Sequence, residues 1–157
     1  MVLFDVPCSS PNSTVIACPI TARPIALSPA EAFAAITIVA ISSDGYLADE
    51  EIDTITASLA RMHLFRNTPT ETMRHMYDKL FGIMRQDGIS ILLQAAKESL
   101  PCELREAAFA VATDLVLSDG IMTQDEQGFL NDLCRILEIS QTTALKIVEV
   151  MMIKSRG

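Results

Sequence analysis

A nine-residue stretch that occurs twice constrains the fold more than any other feature of this chain. The first copy spans residues 43–51 and the second spans residues 118–126, so that Asp44 and Asp119 are 75 positions apart. Each copy has Ser-Asp-Gly, an apolar residue three positions after the Asp, and a Glu seven positions after it. Because each follows one apolar helical pattern and precedes another, the repeat predicts two helix-turn-helix units.

Start and stop signals divide the rest of the chain into helices. A Ser or Thr followed three residues later by Glu can form a capping box, and Asp-Gly is typical of a helix end. Between these signals apolar residues recur every three or four positions, and no segment indicates a strand. We therefore predict an all-α domain of about seven helices that contains two copies of the acidic helix-turn-helix unit. The capping boxes are expected at Ser28–Glu31, Thr68–Glu71 and Thr123–Glu126, with Ser140 as a further cap.

The chain divides into two parts at about residue 28. Four prolines interrupt residues 1–27 and exclude a long helix there, so this segment is predicted to be an extended N-terminal arm. Its apolar content favours an arm that lies on the domain, and a partner-binding tail is the alternative. Residues 28–157 form the predicted helical domain.

Composition limits the classes of partner and compartment. The formal net charge is −8, which argues against nucleic acid and is compatible with metal ions or basic protein partners. No apolar run is long enough for a transmembrane segment, and no signal peptide is evident. We therefore expect a cytoplasmic protein whose four cysteines are thiols, with Cys102 and Cys134 filling core volume.

The repeated acids have a purely structural explanation. Leu47 and Met122 would pin each turn against the core, while Glu51 and Glu126 would occupy the third position of the following helix. An anion there is stabilised by the helix dipole. Two helix-turn-helix joints could reach this solution independently, and the acids would then be helix caps without a ligand.

A calcium-binding EF-hand is excluded by the first position of its loop. The glycines, the apolar residues and the final Glu of both copies fit that loop register. The first position, however, requires an Asp and is occupied by Ala40 in one copy and Leu115 in the other. What remains is an Asp at the end of one helix and a Glu at the start of the next. These acids are Asp44 with Glu51 in the first copy and Asp119 with Glu126 in the second, and the turn between them could bring the two carboxylates of each copy close together.

Other polar residues do not assemble into a catalytic pattern. His63 and His75 lack a metal-ligand spacing, and no phosphate-binding loop or nucleophile motif is present. We therefore predict that the protein is not an enzyme. Asp114 lies in an otherwise apolar helix and needs a partner, for which a backbone amide, Arg105, Arg135 or a cation are candidates.

The duplicated motif resembles the TerB-like domain family, which comprises the TerB tellurite-resistance proteins and their relatives. The resemblance covers about residues 28–154 and is carried by residues 40–51 and 116–126. It implies a helical bundle with pseudo-two-fold symmetry, and it implies metal binding at the four acids named above. The second copy departs from the first, with Gln127 and Gly128 where the first has Ile52 and Asp53, so the two joints need not be equivalent.

The resemblance also implies a role. The chain would be a non-enzymatic protein of a tellurite or stress-resistance system that binds the protein partners of a resistance complex, including membrane-associated ones. A divalent metal ion is the candidate ligand, and a homodimer is a candidate assembly. The alternative is a structural scaffold or oligomerisation module whose acids are helix caps. An enzyme with a carboxylate-bound metal is disfavoured, because no further polar constellation accompanies the acids.

Overall fold

The computed structural model describes residues 25–42 and 47–156, except for the side chain of Asp119. These residues form seven α-helices and two short 3₁₀ turns, and no strand occurs in either range. The predicted all-α architecture is therefore confirmed. The helices are α1 (Pro29–Ile41), α2 (Asp49–Ala60), α3 (Thr70–Asp87), α4 (Ile89–Ser99), α5 (Cys102–Val116), α6 (Gln124–Ile136) and α7 (Gln141–Lys154), and the 3₁₀ turns are His63–Phe65 and Leu117–Asp119.

The two halves of the bundle repeat each other at the offset seen in the sequence. Helix α2 begins at Asp49 and α6 begins at Gln124, which lies 75 positions later. The preceding helices of the two units, α1 and α5, pack against each other, and α4 also packs against α1. Helix α3 then contacts α1 as α7 contacts α5. The internal repeat therefore extends to three helices of each half, with α4 between the halves.

Helix α1 is the centre of the core. Its residues 32–39 are all buried, and three of the first four are alanines, whose small side chains allow neighbouring helices to approach closely. A helix that is apolar on every side must be enclosed by other helices. Thr37 is the one polar residue in this run, and its hydroxyl donates a 2.7 Å hydrogen bond to the Ala34 carbonyl. No polar group of the run therefore needs a partner from outside the helix.

The helix caps confirm most of the predicted starts. The Glu31 N–H donates to Ser28 Oγ at 3.1 Å, and the Glu31 carboxylate accepts from the Ser28 N–H at 2.9 Å. Ser140 caps α7 as predicted. The predicted box from Thr68 to Glu71 is wrong, because α3 begins at Thr70 and its N-cap is Pro69. Proline has neither an N–H nor a side-chain acceptor, so it cannot form a capping box.

Glycine occupies the strained backbone positions at two helix ends. Gly88 has φ 94° and ends α3 at the predicted Asp-Gly stop, while Gly120 has φ 79° in the second repeated stretch. Positive φ is costly for residues with a Cβ, which explains glycine at both places. Asp44 and Gly45 lie outside the described residues, so their predicted turn stays a prediction. The same holds for the arm, of which residues 1–24 are not described.

Two further expectations about side chains are corrected. Cys134 is a buried free thiol as predicted, but Cys102 is disulfide-bonded, so the expected thiol there is wrong. Asp114 pairs with Lys154, whose Nζ lies 2.7 Å from Asp114 Oδ1. Asp114 thus pairs with a lysine and not with Arg105 or Arg135, because the packing of α7 on α5 brings the last turn of α7 to this carboxylate.

Candidate metal site at the paired joints

The first joint leads into α2 and has half of a capping box. The Glu51 Oε2 atom accepts a 2.8 Å hydrogen bond from the Ala48 N–H. Ala48 is the N-cap residue, and its methyl side chain cannot accept the reciprocal bond. Leu47 precedes it and is only 7% exposed, while Ile52 packs against the same core. The predicted roles of Leu47 and Glu51 in the turn are therefore confirmed.

The second joint leads into α6 and has the complete box. The Thr123 N–H donates to Glu126 Oε2 at 2.9 Å, and the Glu126 N–H donates to Thr123 Oγ1 at 3.2 Å. Met122 is partly buried and packs against the core, as predicted. Gln127 is exposed where the first joint has the packed Ile52, so the predicted difference between the joints is confirmed.

The two joints meet at one pocket of about 250 Å³. Its lining includes residue pairs separated by the 75-position offset, one member from each half of the chain. The pocket is therefore lined by equivalent positions of the two units. These pairs are Ala40 with Leu115, Ile41 with Val116, and Glu51 with Glu126.

The residues that line the pocket carry oxygen in both halves of the chain. Glu51 and Glu126 have carboxylates, while Thr54 and Ser118 have hydroxyls, and the Thr54 hydroxyl donates to the Glu50 carbonyl at 2.9 Å. Each Glu uses Oε2 in its own helix cap, and no described group hydrogen-bonds to either Oε1 atom. An all-oxygen set matches hard divalent cations such as Ca²⁺, Mg²⁺ and Mn²⁺. Zn²⁺ prefers nitrogen and sulfur ligands, which this lining lacks.

Only part of the predicted ligand set can be placed. The structure brings Glu51 and Glu126 to one pocket, while Asp44 and the Asp119 side chain lie outside its description. Within residues 25–42 and 47–156 no three His, Cys, Asp or Glu residues form a group that could hold a metal ion. A cation would therefore need ligands beyond the two glutamates, and the four-acid site stays a prediction.

A second concave feature was missed from the sequence. A groove of about 680 Å³ runs between α2 and α3 and combines an apolar floor with charged margins. The hydroxyls of Thr56 and Tyr77 hydrogen-bond across it at 3.1 Å, and burial raises the pKa of Tyr77. The i, i+4 acids Asp49 and Asp53 were a usable signal, but without the fold they indicate only a solvated helix face. The lining residues are Leu47, Asp49, Ile52, Asp53, Thr56, Thr70, Met73, Arg74, Tyr77, Asp78, Phe81 and Arg85.

Fold and site together define a class: an all-α protein whose two duplicated acidic joints line one pocket. The family model described as "Tellurite resistance protein TerB" matches residues 30–147. The chain therefore belongs to the TerB family, which connects it with tellurite resistance. No significant match was found among curated proteins or among solved structures. In the described part of the chain, every helix is too short or too polar to cross a bilayer.

Proposed function

We propose that this chain is a non-enzymatic, cytoplasmic protein of a tellurite or stress-resistance system that binds protein partners and holds a divalent cation between its two joints. The observation that carries the cation site is the placement of Glu51 and Glu126 on one pocket. Two carboxylates that face a small common space repel each other, and a divalent cation between them replaces that repulsion with attraction. Asp44 and Asp119 are the further ligands that the sequence predicts.

A second candidate function is a scaffold whose acids are only helix caps. It is favoured by the hydrogen bonds that each Glu already makes to the start of its own helix, at 2.8 Å to Ala48 and 2.9 Å to Thr123. The helix dipole also places partial positive charge at these positions, which favours a carboxylate and opposes a cation. Under this hypothesis the two glutamates share a pocket only because the fold is duplicated.

Substitution of glutamate by glutamine separates the two candidates. Glutamine retains an oxygen that can accept the cap hydrogen bond, but it lacks the negative charge that a cation requires. Alanine removes both. We would measure calorimetric binding of Ca²⁺, Mg²⁺, Mn²⁺ and Zn²⁺, and melting with and without each ion, for wild type, Glu51→Gln with Glu126→Gln, and Glu51→Ala with Glu126→Ala.

The cation hypothesis predicts saturable binding to wild type. At an ion concentration of 100 times Kd the folded state gains about 2.7 kcal/mol, or about 5–10 °C in Tm for a chain of this size. The glutamine pair should lose this gain and melt like wild type without the ion. Asp44→Asn with Asp119→Asn should weaken binding as well.

The scaffold hypothesis predicts the reverse pattern. Ions would leave the Tm of every variant unchanged, the glutamine pair would melt near wild type, and the alanine pair would lose about 1–2 kcal/mol of cap stability. Absence of saturable binding by all four ions, together with unchanged melting of the Asp44→Asn and Asp119→Asn protein, would refute the cation site.

A further inference from the structure

We propose that the groove between α2 and α3 is the docking site for an amphipathic helix of a partner protein, with a basic flank over α2 and an acidic flank over α3. This inference rests on the proposed partner-binding role and identifies the surface and the chemistry that serve it. It does not depend on the cation pocket, because Glu51 and Glu126 are not among the groove's lining residues.

The dimensions of the groove suit an elongated ligand. Its wall on α3 runs from Thr70 to Arg85, and the fifteen helical steps between these residues span about 22 Å. Its wall on α2 runs from Asp49 to Thr56, a span of about 10 Å. The shorter wall allows a third helix to contact both α2 and α3 over about two turns, and α3 continues the surface for about two turns more; packed helices lie 8–10 Å apart.

The floor offers apolar area that a helix can bury. Met73 and Tyr77 are almost fully buried, while Ile52 and Phe81 are partly exposed at the groove. An amphipathic helix reaches such a floor with side chains at positions i, i+4 and i+7. The hydrogen bond between Thr56 and Tyr77 satisfies the polar groups at the base, so apolar contact there leaves no hydroxyl without a partner.

The margins of the groove carry unneutralised charge of both signs. Asp49 and Asp53 lie on α2, whereas Arg74 and Arg85 lie on α3 together with Asp78. None of these five side chains forms an ion pair with any residue that the structure describes. A partner helix with Lys or Arg on one flank and Asp or Glu on the other complements this arrangement and fixes the direction in which it binds.

The beginning of the described chain lies on the other side of α3. Lys79 Nζ lies 3.4 Å from the Ala26 carbonyl oxygen and 3.0 Å from Glu31 Oε2. Lys79 is two positions from both Tyr77 and Phe81, which places it about 160° around the helix from these two groove residues. Residues 25–31 therefore do not fill the groove, and a segment from a partner protein is the occupant to which the proposal commits.

The test uses synthetic helical peptides and the full chain. Three 18-residue peptides share a leucine face at i, i+4 and i+7 and differ only in their flanks, which are Lys opposite Glu, Lys on both sides, or Glu on both sides. Affinities would be measured by fluorescence anisotropy at low and high salt. The peptide with one Lys flank and one Glu flank should bind wild type about three- to tenfold more tightly than the others, and high salt should reduce that preference.

Charge reversal in the groove should exchange the preferred peptide. Asp53→Lys should weaken the mixed-flank peptide and strengthen the peptide with two Glu flanks, each by about three- to tenfold. Arg74→Glu should weaken the mixed-flank peptide and strengthen the one with two Lys flanks. Both residues are exposed and outside the helix caps, so the fold should tolerate the changes. Asp132→Lys, an exposed reversal on α6, is the matched control and should alter no peptide's rank.

A misfolded variant would not gain affinity for the peptide whose flanks match its new charge. Such a gain in both Asp53→Lys and Arg74→Glu would therefore support the groove as the docking site. Peptide affinities that do not change in Asp53→Lys and Arg74→Glu would overturn the proposal. This result is expected if the peptides bind elsewhere, for example on the exposed apolar face of α7 around Leu145 and Ile153. In that case the partner-binding role would stand without this site. Failure of all three peptides to bind at millimolar concentration would overturn the proposal that the groove docks a helix. The cation experiments would be unaffected by either outcome.

Discussion

The two joints stabilise the start of the following helix with different sets of contacts. Both place a glutamate three residues into a helix and direct its carboxylate to the N-cap N–H. Only the second joint has the reciprocal hydrogen bond, in which the Glu126 N–H donates to Thr123 Oγ1. Ala48 in the first joint has no side-chain acceptor. The first joint is instead held by Leu47 and Ile52, which pack on the core. The glutamate is thus the common element. The first joint adds apolar packing alone, whereas the second adds the hydrogen bond to Thr123 and the weaker packing of Met122.

The ends of the two units show the same contrast. After α2 the chain is held by Phe65, whose ring meets Phe33 edge-on at a centroid distance of 6.1 Å. After α6 it is held by Glu138, which pairs with Lys97 at 2.8 Å and with Arg105 at 3.2 Å. The two units therefore continue differently after their second helices, because the 3₁₀ turn His63–Phe65 lies between α2 and α3, whereas a shorter link joins α6 to α7. The stability of the second unit should consequently respond more to pH and salt.

The largest difference is expected for the residues that precede each N-cap. Leu47→Ala should lower the free energy of unfolding by about 2–4 kcal/mol, because a buried leucine leaves a cavity in the core. Met122→Ala should cost about 1 kcal/mol, since Met122 is only partly buried. Urea denaturation of both variants measures the difference. Equal losses would mean that the first joint does not depend on its apolar contact.

Completing and removing the cap should have opposite effects. Thr123→Ala should cost about 0.5–2 kcal/mol, because it removes the acceptor for the Glu126 N–H. Ala48→Thr should add up to about 1 kcal/mol by supplying the missing half of the first box. Thermal unfolding under the same conditions compares the two. If Ala48→Thr did not raise the stability, the half box would already stabilise the first turn of α2 fully. The two joints would then differ in geometry but not in free energy.

The smallest effect concerns the ion pairs of Glu138. Its hydrogen bond to Lys97, assisted by the charges of Lys97 and Arg105, lowers the pKa of Glu138. Because the folded pKa is depressed, the stabilisation is present above the unfolded value of about 4.5 and is lost as pH falls through the folded value. Glu138 is largely exposed, so Glu138→Gln should cost only about 0.2–1 kcal/mol at pH 7.

This cost should disappear at low pH and shrink in high salt. Urea denaturation of wild type and Glu138→Gln at pH 7 and at pH 2.5 measures it, where the second pH lies about two units below the ordinary value for glutamate. Phe65→Leu is the comparison in the first unit, and its cost should not change with salt. A Glu138→Gln cost that persisted unchanged at the lower pH would show that packing, not charge, holds this turn.

Local signals in the sequence predicted the helices and the roles of the glutamates. Three N-cap side chains accept a hydrogen bond from the N–H only three residues later, so the sequence alone predicts these caps. They are Ser28, Thr123 and Ser140. The Thr68 box failed because Pro69 takes an extended backbone and becomes the N-cap itself. The turn at Glu138 could not be recognised from the sequence. Its φ of 57° is a conformation that usually has glycine, and here a glutamate adopts it. Its ion pairs join residues 33 and 41 positions apart, which no local pattern reports.

The sequence predicted which residues belong to the candidate site, but not that they line a common pocket. The duplicated motif indicated Glu51 and Glu126, but their common pocket depends on the packing of α1 against α5. The groove depends likewise on the separation of α2 from α3, which leaves Asp53 and Arg74 on opposite margins. Sequence patterns give the face of a helix on which a residue lies, whereas contacts between helices decide which faces form a pocket.

Paramagnetic broadening by Mn²⁺ tests most directly whether the two joints form one cation site. An ¹⁵N-labelled sample would be titrated with Mn²⁺ while the amide signals of Glu51, Glu126 and their neighbours are followed. The shared pocket predicts that both joints broaden together and saturate at one ion per chain, and that Glu51→Gln alone abolishes broadening at both. Broadening confined to one joint, saturation at two ions, or no saturable effect would contradict it.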